Sequence, residues 1–202
     1  MIKTIDMLLR EYSDYNNKYN KIVFEEKKNN IIKLRRGLYE TDKYADPLRL
    51  ANYISSPSYI SYETALAYYG MIPERVYLIK SATYCKNKRK FYENFFGRFY
   101  YHDINKNAYP HGVVIEEIDG AKVQIASREK ALLDLISKIS PRRNEKEIQD
   151  LLFDDLRINE EIFDELDKKK MIELCDLYNS TSLKLLKKYI LKHYSLDNQI
   201  KQ

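Results

Sequence analysis

Residues 112–126, GVVIEEIDGAKVQIA, constrain the fold more than any other stretch. Apolar and polar side chains alternate on both sides of Asp119-Gly120, a dipeptide suited to the two-residue hairpin turn because both central positions take positive φ. A hairpin patterned in this way lays one face on a core. Upstream, VYLIKSATY (76–84) alternates in the same way. KFYENFFGRFYYHDI (90–104) reads as two aromatic strands turning near Asn94 to Gly97. Together they give about five strands in succession, mostly antiparallel.

Helical periodicity surrounds this block. SREKALLDLISKI starts at Ser127 as a cap, with Ala131, Leu132, Leu135 and Ile136 facing inward and Glu129 and Asp134 on the polar face. Three further amphipathic helices are expected at about 144–153, 159–170 and 180–193, followed by a frayed tail over 195–202. Before the strands, DPLRLANYISSPSYISYETALAYYG holds two helices. Pro47 suits the first turn of one, and Pro57 interrupts. Ser61 caps the other, Glu63 lies in its first turn, and Gly70 closes it.

The N-terminus has a different rhythm. TIDMLLREY places Ile5, Leu8, Leu9 and Tyr12 on one helical face behind a Thr4 cap. A second helix follows, with Tyr15, Tyr19, Ile22 and Val23 as its stripe, ending near Asn29 or Asn30. Ile31, Ile32 and Leu34 then make a short strand, Gly37 permits a bend with positive φ, and Leu38 and Tyr39 resume extension. Helix, basic helix and hairpin give the outline of a small winged helix, shortened because about 28 residues stand where three helices usually precede the wing. The expected fold is therefore α+β. A compact winged-helix-like unit (1–45) precedes a mostly antiparallel sheet packed with helices and ending in a helical C-terminus (46–202).

Composition narrows the function classes. No apolar run approaches the ~20 residues of a spanning helix, and the first residues lack a signal peptide's apolar segment and cleavage site. The expected location is the cytoplasm. Cys85 and Cys175 stand alone, and His102, His111 and His193 fall in no metal-ligand spacing. There is no glycine-rich phosphate loop or nucleophile elbow. The expectation is no catalytic residue, no metal and no cofactor.

Positive charge is concentrated in the first 111 residues. Residues 18–36 hold seven basic and two acidic groups, and residues 75–111 hold eight and two. Cation patches of this kind draw polyanions. The candidates for contact with DNA phosphate are Lys18, Lys21, Lys27 and Lys28 on the second helix, Lys33, Arg35 and Arg36 on the hairpin, and Lys86, Lys88, Arg89 and Lys90 in a loop between strands. Arginine suits the task through its bidentate fork. Adjacent strand residues point to opposite faces, so one of Arg35 and Arg36 is expected to make the direct contact.

KLRRGLYE (33–40), SYISYETALAYYGMIPE (58–74) and EEIDGAKVQIASREKALLDLI (116–136), in this order, resemble the AbiEi/AbiGi-like abortive-infection antitoxins of bacterial type IV toxin–antitoxin systems. The similarity runs over about residues 1–140. It implies an N-terminal winged helix-turn-helix joined to an α/β antitoxin domain. It also implies a repressor of its own operon that binds double-stranded operator DNA and counters a co-encoded nucleotidyltransferase-like toxin, with no stable complex required. The family's wing motif falls on Lys33, Arg35, Arg36, Gly37 and Tyr39. The implied state is a monomer or weak dimer, able to bind DNA cooperatively and with no role at a membrane. The alternative is a metal-dependent nuclease of a phage-defence system, or an RNA-binding module that uses Tyr92, Phe95, Phe99 and Tyr101 as a stacking platform.

Overall fold

The computed structural model describes residues 1–194; the tail expected to fray, 195–202, lies outside the described residues. The chain begins β-α-α-β-β, with β1 (Ile2–Thr4), α1 (Ile5–Glu11), α2 (Lys18–Lys27), β2 (Ile32–Arg35) and β3 (Leu38–Glu40). Thr4 Oγ1 accepts from the Met7 amide at 3.3 Å to start α1, and Asn17 Oδ1 accepts from Asn20 at 3.0 Å to start α2. Asn29 leaves α2 with φ 57°, a left-handed value that asparagine tolerates, and Gly37 turns the hairpin at φ 76°. The three strands form an antiparallel sheet in the order β1-β3-β2, with a register shift between Lys33 and Arg35. Periodicity gives no hint of β1, because three residues are too few to show one and its partner strand lies beyond both helices.

Leu8, Ile22, Ile31 and Tyr39 form the core of this small unit, with Ile5, Leu9 and Tyr12 against it. The stripe expected on α2 is not that core. Only Ile22 is buried, and Tyr15, Tyr19 and Val23 are exposed. The reason is geometric: α2 rests on α1 and the small sheet, and among the described residues no third helix covers its other side.

The larger sheet has six strands: β4 (Ser58–Ile60), β5 (Leu78–Thr83), β6 (Lys90–Asn94), β7 (Gly97–Asp103), β8 (Val113–Ile118) and β9 (Ala121–Ala126). Their order is β6-β7-β5-β4-β9-β8. The pairs β6–β7, β4–β5 and β8–β9 are antiparallel, and β5–β7 and β4–β9 are parallel. Asp119 and Gly120 turn β8 into β9 with φ values of 51° and 67°. Three helices from this half, α3 (Pro47–Ile54), α4 (Tyr62–Tyr68) and α5 (Arg128–Ile136), share a core with the strands. Leu50 and Ile54, Leu66, Leu132 and Ile136 meet Phe99, Val123 and Ile125 there.

The C-terminal helices complete that core. α6 (Glu145–Asp150) runs into a π-helical turn over Leu151–Asp155, and α7 (Glu160–Glu165), α8 (Lys168–Cys175) and α9 (Thr181–His193) follow. The helix expected over 159–170 is therefore two. Leu166 is extended, and Asp167 restarts the chain as a cap, its Oδ1 accepting from Lys170 N at 2.9 Å. Ser61 also departs from expectation: it precedes α4 but its side chain makes no capping bond.

The small sheet is docked on the larger body. Leu34 and Leu38 belong to the main core, and Asn94 Nδ2 donates to the Leu34 carbonyl at 3.1 Å. The Glu40 carboxylate, fully buried, accepts from Arg49 Nη2 at 2.8 Å and from the Thr41 and Asp42 amides at 2.8 and 2.9 Å. Among the described residues no helix is long and apolar enough to cross a membrane.

Candidate nucleic-acid interface

The β2–β3 hairpin gathers three cations. Along β2 Ile32 and Leu34 are buried and Lys33 and Arg35 are exposed, and the register shift between them sets Lys33 opposite Tyr39 and Arg35 opposite Leu38. Arg36 is exposed in the turn beside Gly37, and Arg35 Nη1 reaches its carbonyl at 3.3 Å. Strand alternation does not separate the two arginines, because β2 ends at Arg35 and Arg36 lies in the turn. β2 is an edge strand of the small sheet, and Lys33, Arg35 and Arg36 are exposed on it and on its turn.

The second helix offers less. Lys18 and Lys21 are half-buried. Lys21 Nζ lies 2.5 Å from Glu25 Oε1 and 4.7 Å from the Tyr15 ring centroid. The Glu25 bond raises the Lys21 pKa, and the bonds from Lys21 and from Asn30 Nδ2 at 2.6 Å lower that of Glu25. Lys21 is thus engaged within the chain. Lys27 and Lys28 are exposed, and Lys28 Nζ sits 4.2 Å from the Phe24 centroid. The outward side of α2 carries Tyr19, Val23 and Phe24 with these two lysines, a more apolar face than base-edge reading asks for.

The third group stands apart. Lys86 Nζ donates to the Ser56 carbonyl at 2.8 Å, Lys88 and Arg89 are exposed, and Lys90 is half-buried at the start of β6. Asp103 pins this loop. Its carboxylate accepts from Thr83 Oγ1 at 2.6 Å and from the Asn87 amide. Burial raises its pKa, but the bonds from the Thr83 hydroxyl and the Lys86 and Asn87 amides hold it below the ordinary value. Asn94, which touches the hairpin, is at the other end of β6 from Lys90, about 13 Å away at strand spacing. The structure brings Lys33, Arg35 and Arg36 together and places Lys86, Lys88, Arg89 and Lys90 at a different end of the body.

The aromatic strands do not form a stacking platform. Phe99 and Tyr101 are buried, and Tyr101 donates to the Ala51 carbonyl at 2.7 Å. Tyr92 packs edge-on against Tyr101 with centroids 5.8 Å apart. Of the four, only Phe95 is exposed. Alternation put Phe99 and Tyr101 on the same face, and that face is the one turned to the core.

A polar network sits inside the body where solvent-facing carboxylates were expected. Asp134 is fully buried, and so is Lys130, one helical turn before it on α5. Lys130 Nζ is 2.9 Å from Asp134 Oδ1, and it also donates to the Ala108 carbonyl at 2.8 Å and to Tyr178 Oη at 2.6 Å. Asp134 accepts from Tyr59 Oη at 2.9 Å, from Ser61 Oγ at 2.7 Å and from the Tyr178 hydroxyl. Burial pushes the Lys130 pKa down and those of Tyr59 and Tyr178 up. Ser61 fails to cap α4 because its hydroxyl is spent here. Glu129, also buried, takes bonds from Ser127 Oγ at 2.8 Å and Lys170 Nζ at 2.9 Å. Every strong partner is occupied within the protein, which suits a structural clasp. The sequence hid it because the partners lie on four separate segments.

Next to the network is a cavity of about 220 Å³ lined by Tyr62, Glu63, Lys80, Tyr100, His102 and Lys138. Tyr62 has φ 57°, a strained value for a bulky residue. Its hydroxyl donates to the His102 carbonyl at 3.3 Å. Glu63 and Lys80 neutralise each other at 2.6 Å. Burial, then the nearby Lys138 and Arg89 charges, push His102 down to about 4.

Among the described residues no three His, Cys, Asp or Glu side chains group in a way that could hold a metal ion. A scan against protein-family models and a search of curated proteins find nothing that matches this chain.

Proposed function

We propose that this chain is a DNA-binding autoregulatory antitoxin without enzymatic activity, acting against a nucleotidyltransferase-like toxin. One observation carries the DNA-binding part: a β-α-α-β-β unit that presents Lys33, Arg35 and Arg36 together on an accessible edge hairpin. The antitoxin part rests on the resemblance of the three ordered sequence blocks. In this reading the hairpin grips backbone phosphate, and Lys27 and Lys28 at the end of α2 extend the grip. Lys21 serves the fold, because Glu25 already holds it. Such contacts fix position on the duplex more than they read bases.

The experiment is fluorescence anisotropy with duplex DNA taken from upstream of the chain's own gene. Arg35→Ala with Arg36→Ala should weaken binding by at least about tenfold and reduce the salt slope by about two. Equal affinity in the double variant and the parent chain would remove the hairpin from this reading.

A further inference from the structure

Two exposed aromatic rings from distant parts of the chain line one cleft. Tyr44, in the loop after β3, is 81% exposed, and Phe95, in the β6–β7 turn, is 66% exposed. With Lys28, Asn29, Asp42 and Lys43 they border a space of about 670 Å³. Both rings stand on pinned backbone. The Tyr44 amide donates to Asp42 Oδ1 at 2.9 Å, and the Phe96 amide to Asn94 Oδ1 at 2.9 Å. Side-chain-to-backbone bonds of this type order a turn, so little entropy is lost when a ligand meets the rings.

Hydrated aromatic faces beside ammonium groups suit one kind of ligand chemistry. A base can stack on a ring while its flanking phosphates meet lysine. A paired duplex keeps its base faces stacked on each other, so an aromatic cleft selects an unpaired base. We propose that this cleft binds an unpaired nucleotide of single-stranded nucleic acid, with Tyr44 and Phe95 supplying stacking faces and Lys28 and Lys43 meeting the adjoining phosphates. The cleft shares Lys28 with the proposed duplex grip but does not include Lys33, Arg35 or Arg36, so it goes beyond duplex binding by the hairpin. The discarded aromatic platform of β6 and β7 contributes only its exposed turn residue.

The test uses labelled single-stranded oligomers of about eight nucleotides, one DNA and one RNA, read by anisotropy at low salt. The full chain should bind at least one, and the tighter of the two identifies the source of the nucleotide. Tyr44→Ala and Phe95→Ala should each weaken that binding by about tenfold. Both rings are exposed, so thermal melting of the variants should match the parent chain. Duplex binding should be unchanged in these variants, whereas Arg35→Ala with Arg36→Ala should spare the single strand. Failure of the parent chain to bind either oligomer overturns the proposal, as does unchanged binding by both ring variants. An equal loss of duplex and single-strand binding overturns it too, since the cleft would then belong to the duplex footprint. Ring-dependent single-strand binding without any duplex binding would uphold the cleft while removing the hairpin reading.

Discussion

Two helices of this protein carry the same local signal, a lysine with an acidic residue four positions later, and the two regions use it in opposite ways. On α2 of the small unit, Lys21 and Glu25 meet at 2.5 Å, with Lys21 still partly exposed and Glu25 largely covered. On α5 of the larger body, Lys130 and Asp134 meet at 2.9 Å with no exposed surface at all. The first pair keeps some contact with water through Lys21 and gains modestly. The second has lost its water, so each charge depends on the other and on the hydroxyls around them. Spacing identifies the pair, and only the packing around it decides what the pair is worth.

Lys130→Met should widen the contrast most. It leaves Asp134 buried without its countercharge, at a cost of about 3–5 kcal/mol, or roughly 10 °C of melting temperature for a chain of this size. Adding Asp134→Leu should recover part of the loss. A melt within about 2 °C of the parent for Lys130→Met alone would put the network on a par with the Lys21–Glu25 pair.

His102 tests the region beside the network. Its folded pKa of about 4 lies below its ordinary 6.5. The unfolded chain therefore takes up a proton first as pH falls. The stabilisation by neutral His102 is complete above about pH 6.5 and disappears as pH drops towards 4. With solvent screening part of the effect, its size is on the order of 1–2 kcal/mol. Urea unfolding of His102→Gln and the parent chain between pH 7 and 4.5 should show the parent losing stability relative to the variant as pH falls. Curves that stay parallel would show the ring to be as hydrated as it is in the unfolded chain.

The smallest effect is expected at the partly exposed pair on α2. Lys21→Ala should move the melting temperature by no more than about 2 °C and leave it insensitive to added salt. A large drop would mean that the stacking of Lys21 on Tyr15 and Phe24 holds the small unit together, and the contrast between the two regions would fade.

The sequence disclosed what is decided locally. Thr4 and Ser127 cap their helices, Asn29 and Gly37 bend the chain, and Asp119-Gly120 turns the hairpin, because each needs only neighbours within a few residues. What stayed hidden depends on distant partners. β4 has three residues and becomes a strand through Thr83 and Ile125. Asp134 looked like a surface carboxylate because its hydroxyl donors lie elsewhere in the chain. Tyr19 and Val23 looked like core because helical spacing cannot tell whether a covering helix exists. In the candidate interface, Arg35 and Arg36 were legible as a pair of cations. Tyr44 was not, since nothing in its neighbours separates an exposed tyrosine from a buried one.

The short strand β4 and the carboxylate of Asp134 have a joint kinetic meaning. Tyr59 and Ser61 are 75 and 73 residues from Asp134 along the chain, yet both hydroxyls close on it. Closing a loop of that length costs about 4 kcal/mol of chain entropy before any bond repays it. That cost is repaid only when β4 pairs with both β5 and β9 and the Asp134 bonds are made. Once made, these contacts join both halves of the larger sheet into a single cooperative block, so the body is expected to melt all at once rather than strand by strand.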